Sequence, residues 1–183
     1  MKEKVYIYDA TLRDGAQGEG ISFSDTAKVK FARLLDDFGV DFIEGGFAGS
    51  NPRDRRFFDD IGKESLSHAR VTAFGSTRRK DCDAKDDPQL EGLLAAGTEW
   101  VTIYGKSWML HVREVLRTSG ENNIQMIADT VGFLRAAGRR VFFDAEHFFD
   151  GYKDDRAYAM RALEAAMREG AEGVVLCDTN GGC

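Results

Sequence analysis

The sequence predicts an α/β fold with a parallel sheet, a (β/α)8 TIM barrel of which about the first six strands are present. Three observations predict it. Short apolar runs alternate with longer amphipathic stretches, the pattern of strands joined by right-handed helical crossovers. Gly39, Gly97, Gly138 and Gly170 each stand between a helical stretch and the next apolar run, where helices commonly stop. Polar residues of catalytic types follow the first, second, fifth and sixth runs, and function in parallel α/β folds gathers at the carboxyl ends of strands. A closed barrel brings those four strand ends to one mouth. A doubly wound open sheet is the alternative, but the first strand–helix turn lacks the Gly-x-Gly-x-x-Gly of its dinucleotide-binding form.

In chain order, Val5–Tyr8 reads as the first strand, and Ser24–Phe38 as an amphipathic helix with Ser24 as its N-cap. Asp41–Gly45 is the second strand, followed by a helix from about Asp54 to Leu66. Arg70–Phe74 is the third, then a polar loop through Lys85 and a short helix near Leu90–Ala96. Trp100–Tyr104 is the fourth, followed by a long helical region broken near Gly120 and reaching Ala137. Arg140–Phe143 is the fifth, with a helix over roughly Asp155–Glu169. Gly173–Cys177 is the sixth. With no repeat, low-complexity tract or linker, residues 1–183 read as the N-terminal part of a single barrel domain.

Composition narrows the function. The 183 residues carry 25 basic and 31 acidic side chains, a net charge of −6 with no basic block, which argues against a nucleic-acid partner. No apolar run approaches the ~20 residues of a membrane helix, and the N-terminus lacks the apolar core of a signal peptide. Cys82, Cys177 and Cys183 have no metal-type spacing, which fits a reducing, cytoplasmic setting.

The strand exits supply Asp9, Arg13 and Asp14, then Glu44, then Asp144, Glu146 and His147, then Asp178, Thr179 and Asn180. Asp14-Gly15 and Asp178-Thr-Asn-Gly-Gly read equally well as turns. Arg13 reads as a salt-bridge partner of Glu44, His147 as a packed histidine among aromatics, and Lys106 and Ser107 either as phosphate contacts or as surface residues. Carboxylates beside an arginine, with hydroxyl and amide groups, suit a hard cation such as Mg²⁺ or Mn²⁺ and a small oxo acid. A metal chelated by a 2-oxo acid polarises its ketone, so the residues point to a metal-assisted lyase or carbon–carbon bond former.

"DATLRDGAQ" (9–17) resembles the opening motif of the metal-dependent acyl-CoA condensing and cleaving barrels. That family holds the isopropylmalate, homocitrate and citramalate synthases and hydroxymethylglutaryl-CoA lyase. "IEGGFAGSNPRD" (43–54), "YGKSWMLHV" (104–112), "FDAEHFFDGYKDD" (143–155) and "LCDTNGG" (176–182) follow in the family's order, and together they look most like the citramalate-synthase branch. The resemblance implies Asp14 as a metal ligand, Arg13 on the enolate oxygen or the 2-oxo acid, and Glu44 orienting Arg13. It implies Gln17 and Asp144 in the substrate pocket, Glu146 near the reacting groups, and Thr179 on the oxo acid's carboxylate. The implied reaction condenses acetyl-CoA with pyruvate to (R)-citramalate and CoA, with Mn²⁺ or Mg²⁺ (Zn²⁺ as a further option) and a homodimer. Isopropylmalate or homocitrate synthesis, the lyase reaction, and a non-catalytic barrel subunit are the alternatives. Ala48 stands where the family pattern has proline, and Met109 where this branch often has an acid. The family's His-x-His metal pair belongs to a strand after the sixth. A chain of these residues alone is therefore expected to be inactive and prone to associate through open sheet edges.

Overall fold

The computed structural model describes residues 4–49 and 51–183. Six strands, β1 (Tyr8–Asp9), β2 (Phe42–Phe47), β3 (Arg70–Ser76), β4 (Trp100–Lys106), β5 (Arg140–Glu146) and β6 (Gly173–Leu176), pair in chain order, every pair parallel. Around them lie α1 (Asp25–Phe38), α2 (Pro52–Ile61), α3 (Pro88–Ala95), α4 (Met109–His111), α5 (Gly120–Ala136), α6 (Phe148–Asp154) and α7 (Arg156–Arg168). No helix among the described residues is long and apolar enough to cross a membrane.

Neighbouring strands stand about 4.8 Å apart, so a flat sheet would separate β1 from β5 by about 19 Å. Instead the Tyr8 ring lies 6.1 Å from that of Phe142 on β5, and its hydroxyl lies 2.7 Å from Thr102 Oγ1 on β4. The sheet curls on itself as the first six strands of a (β/α)8 barrel, as the strand–helix alternation predicted.

Strand alternation sorts the side chains onto two faces. Ile43, Ala73, Val101, Ile103, Val141, Phe143 and Ala145 point outward, and all are fully buried under the helices. The inward face is layered. Phe42, Trp100 and Phe142 pack edge-on or stacked at 4.8–5.0 Å near the amino ends of the strands. Above them Tyr8, Glu44, Thr72 and Thr102 form a polar layer, and Phe74, Tyr104, Asp144 and Glu146 open onto the mouth. At the end of β2 the register shifts between Glu44 and Gly46. Gly46 has φ 138°, and a Cβ there would meet the Asp54 carboxylate at 2.4 Å. Only glycine fits this bulge, which turns Phe47 toward Phe74 at the mouth.

Several element limits differ from the sequence reading, each for a local reason. β1 is two residues long, because only Tyr8 and Asp9 stand in register with residues of β2; Val5, Tyr6 and Ile7 are exposed, and Ile7 reaches β2 only by its carbonyl, which accepts from Phe42 N–H at 3.0 Å. α2 starts at Pro52, with Asn51 accepting from Arg53 N–H, and ends before Gly62 rather than at Leu66. The region after β4 breaks at Arg117, which is left-handed (φ 54°), not at Gly120. Gly120 instead opens α5 behind the Ser119 cap. α6 was not anticipated: after β5 the chain turns through a left-handed His147 directly into a helix, and Asp155 then caps α7. Ser24 caps α1 as expected, accepting from Ala27 N–H at 3.2 Å.

Candidate active site

The charged residues after β1 divide by role. Asp9 closes the turn itself, accepting from Thr11 N–H and Thr11 Oγ1 at 3.0 Å. Arg13 and Asp14 face a cavity of about 530 Å³ at the carboxyl ends of the strands. Gln17, Asp144, Glu146 and Thr179 also line it. The structure thus brings all seven sequence-predicted site residues to one mouth, six in the cavity wall and Glu44 behind them.

Arg13 is held on three sides. Its Nε donates to Glu44 Oε1 at 2.5 Å, its Nη1 donates to Asp14 Oδ1 at 2.9 Å, and its guanidinium carbon lies 3.9 Å from the centre of the Phe74 ring. Glu44 is wholly buried and also accepts from the Tyr8 hydroxyl at 2.5 Å. Burial raises the Glu44 carboxyl above its usual range, while Arg13 and Tyr8 pull it back. Burial also raises the Tyr8 phenol well above its ordinary value, with the Glu44 charge adding to the effect. Tyr8 therefore stays a donor to Glu44, and Glu44 in turn fixes the guanidinium.

Asp144 is 9 % exposed and its carboxyl is pushed up to about 7, first by burial and then by the Glu44 and Glu146 charges, with Arg13 opposing. Glu146 is ion-paired with Lys106, which shares the cavity wall. Ser107 is fully buried and donates to the Glu146 carbonyl at 2.8 Å, so it is neither a phosphate contact nor a surface residue. Thr179 Oγ1 accepts from His147 N–H at 2.9 Å. For Asp178 the turn reading holds, since its carboxylate accepts from Gly182 and Cys183 N–H groups.

Residues missed in the sequence complete the wall. Tyr104 stacks on Phe74 at 5.4 Å. Cys177 lines the cavity too, and burial with the nearby Asp144 charge pushes its thiol up to about 12. The thiol therefore remains protonated and is no nucleophile. The signal for Tyr8, Thr72, Thr102 and Tyr104 was the strand alternation itself: in RVTAF and WVTIY the central Thr shares its face with the aromatic two positions on.

The donor set suits a hard cation in kind but not in number. Asp14 offers an exposed carboxylate, one of whose oxygens is engaged by Arg13. No group of three His, Cys, Asp or Glu among the described residues is placed to hold a metal. Chemically, the mouth offers a fixed cation, a carboxyl poised near neutrality and a hydroxyl. These can bind an anionic oxo compound and stabilise negative charge forming on oxygen.

Known proteins resemble this chain in sequence and fold. The (R)-citramalate synthase of Aquifex aeolicus is 55 % identical over 182 residues, covering all of this chain and 34 % of that protein. The (R)-citramalate synthase of Synechocystis is 53 % identical, covering 99 % of this chain and 33 % of that protein. The chain thus spans about a third of the length of the curated relatives it matches. The crystal structure of the Bacillus subtilis HMG-CoA lyase superposes with a TM-score of 0.77 at 18 % identity, covering all of this chain and 60 % of that one, and shares the fold. The model of the HMGL-like family matches residues 4–183, and with these matches it shows that the chain belongs to the HMGL-like family.

Proposed function

We propose that residues 1–183 form the N-terminal part of a single catalytic barrel, and that the protein condenses acetyl-CoA with pyruvate to give (R)-citramalate and CoA. The observation that carries this reading is Arg13, clamped by buried Glu44 and aimed into a cavity walled by Asp14, Gln17, Asp144, Glu146 and Thr179. The relatives at 55 % and 53 % identity, both (R)-citramalate synthases, support the choice of pyruvate.

In this reaction the methyl group of acetyl-CoA loses a proton, and its carbon attacks C2 of pyruvate. One carbon–carbon bond forms and the ketone oxygen becomes a hydroxyl. Water then cleaves the thioester and releases the CoA thiol. Arg13 donates to oxygen that gains negative charge as the bond forms. Such a contact strengthens toward the transition state and so raises the rate. Glu44 acts through Arg13: its carboxylate fixes the guanidinium plane, and Tyr8 fixes Glu44. Thr179 and Gln17 bind the oxo acid, Asp144 holds a proton at the mouth, and Glu146 stands near the reacting groups, paired with Lys106. A divalent cation, Mn²⁺ or Mg²⁺, would supply polarisation of the ketone, with Asp14 giving it one oxygen ligand. A cytoplasmic homodimer, with no nucleic-acid or membrane partner, completes the proposal.

The test is thiol release by the full-length protein from acetyl-CoA with pyruvate, 2-oxoisovalerate or 2-oxoglutarate. Selective release with pyruvate is expected. Preference for 2-oxoisovalerate or 2-oxoglutarate would reassign the substrate, and no release with any of them would overturn the condensing reading.

A further inference from the structure

Two loops that carry adjacent walls of the mouth are stapled together, and the staple ends on Thr179. The first is the turn from β5 into α6. The second follows β6. Between them, His147 N–H donates to Thr179 Oγ1 at 2.9 Å, Phe148 N–H donates to the Cys177 carbonyl at 3.2 Å, and Asn180 Nδ2 donates to Asp150 Oδ2 at 2.9 Å. The same Asp150 Oδ2 lies 3.0 Å from His147 Nδ1. The His147 ring is held further by the rings of His111 at 4.5 Å and Trp108 at 5.8 Å, and Trp108 is itself tied by Nε1 to Asp154 at 3.0 Å.

His147 has φ 52° and ψ 38°, a left-handed backbone in a non-glycine residue. This turn is what aims its N–H across at Thr179. A hydroxyl can accept twice and donate once. With one lone pair engaged by His147, the Thr179 proton is free to be given to an anionic oxygen in the cavity that Thr179 lines.

We infer that His147 is a positioning residue for substrate. Its backbone N–H, presented by the left-handed turn, orients the Thr179 hydroxyl toward the carboxylate of the bound 2-oxo acid. The inference rests on the proposed function and deepens it. It gives the histidine of AEHFFDGY a role that needs neither metal nor proton transfer by its ring.

The experiment is a series at one position in the full-length protein: His147→Gly, His147→Asn, His147→Ala and His147→Val. Glycine and asparagine accept positive φ, alanine resists it, and a β-branched residue resists it most. Losing one hydrogen bond to an anion's partner is expected to raise KM for pyruvate about tenfold in the Val variant. Gly and Asn should stay within about threefold, with Ala between, and KM for acetyl-CoA should stay within about twofold throughout. A merely structural role would not order KM by backbone tolerance while sparing the second substrate. If Val does not fold, the Ala-to-Asn ratio carries the test. An equal rise in all four variants, or no rise in Val and Ala, overturns the inference. Pyruvate affinity by calorimetry on the same variants separates it from the reaction. Ordered affinities without thiol release would keep the staple and overturn the condensation. Thr179→Val with unchanged pyruvate affinity would overturn the staple and leave condensation standing.

Discussion

Asp36 and Asp144 are buried to almost the same degree, 7 % and 9 % exposed, yet they lie on opposite sides of an ordinary carboxylate. Burial pushes both upward. Asp36, near the end of α1, faces four donors: the N–H groups of Ala69 at 2.6 Å, Ser67 at 2.7 Å and His68 at 2.8 Å, and the Ser67 hydroxyl at 3.0 Å. They outweigh burial and hold its carboxyl at about 2. No group among the described residues donates to Asp144, and the negative Glu44 beside it adds to burial, so it rises to about 7. The difference teaches that depth does not set the charge state of an acid here; the supply of donors does. On the outer side of the barrel the fold solvates a carboxylate with its own backbone, pinning the chain ahead of β3. At the mouth it leaves one unsolvated beside a fixed arginine, the condition for a group that changes charge near neutrality.

The largest effect should come from removing the cation that divides the two environments. Arg13→Gln in the full-length protein is expected to lower kcat by about 10² to 10³. It should also raise the Asp144 carboxyl further, because Arg13 is the group that lowers it. Steady-state kinetics and an NMR titration check the two halves, and an unmoved Asp144 would mean that Arg13 does not govern the mouth.

Next in size is Asp36→Ala. It leaves four donors without their acceptor and should cost about 3 kcal/mol in urea unfolding, with kcat per folded molecule unchanged. The sign with pH follows from the depressed value. The contribution of Asp36 is complete above the ordinary value near 3.8, and is lost as pH falls through about 2. The gap between wild type and variant should therefore narrow in acid. A gap constant with pH would mean that Asp36 acts by shape alone.

These two carboxylates also show what the sequence discloses. Asp144 was legible because it ends a strand: RVFFDAE places an acid at a carboxyl end, and the parallel cadence puts such ends at one mouth. Arg13, Asp14 and Glu44 were legible for the same reason. Asp36 was not, since an acid in the last turn of a helix opposes the helix dipole and reads as solvent-facing. Its partners are backbone groups some thirty residues on, which no local pattern reveals. α6 was hidden in the same way. Nothing in EHFFDGY marks a left-handed residue before a short helix, and the turn is set by contacts with the loop after β6. Strand exits are local, so the site was readable; the hydrogen bonds that hold it are long-range.

The mirror of the Asp36 experiment is Asp144→Asn, the most direct on the comparison. A raised carboxyl binds its proton more tightly in the folded protein than in the unfolded chain. Its contribution to stability is therefore complete below the ordinary value near 3.8, and declines as pH rises through about 7. Asparagine keeps the shape and does not titrate. At pH 4 wild type and variant should unfold at nearly the same urea concentration. By pH 8 the wild type holds a buried charge that its surroundings do not solvate, and the variant should unfold at the higher urea concentration. The slopes of stability against pH for Asp36→Ala and Asp144→Asn, each relative to wild type, must then have opposite signs. Parallel curves for Asp144→Asn and wild type would place its titration in the ordinary range, and the contrast between the two acids would reduce to one of geometry.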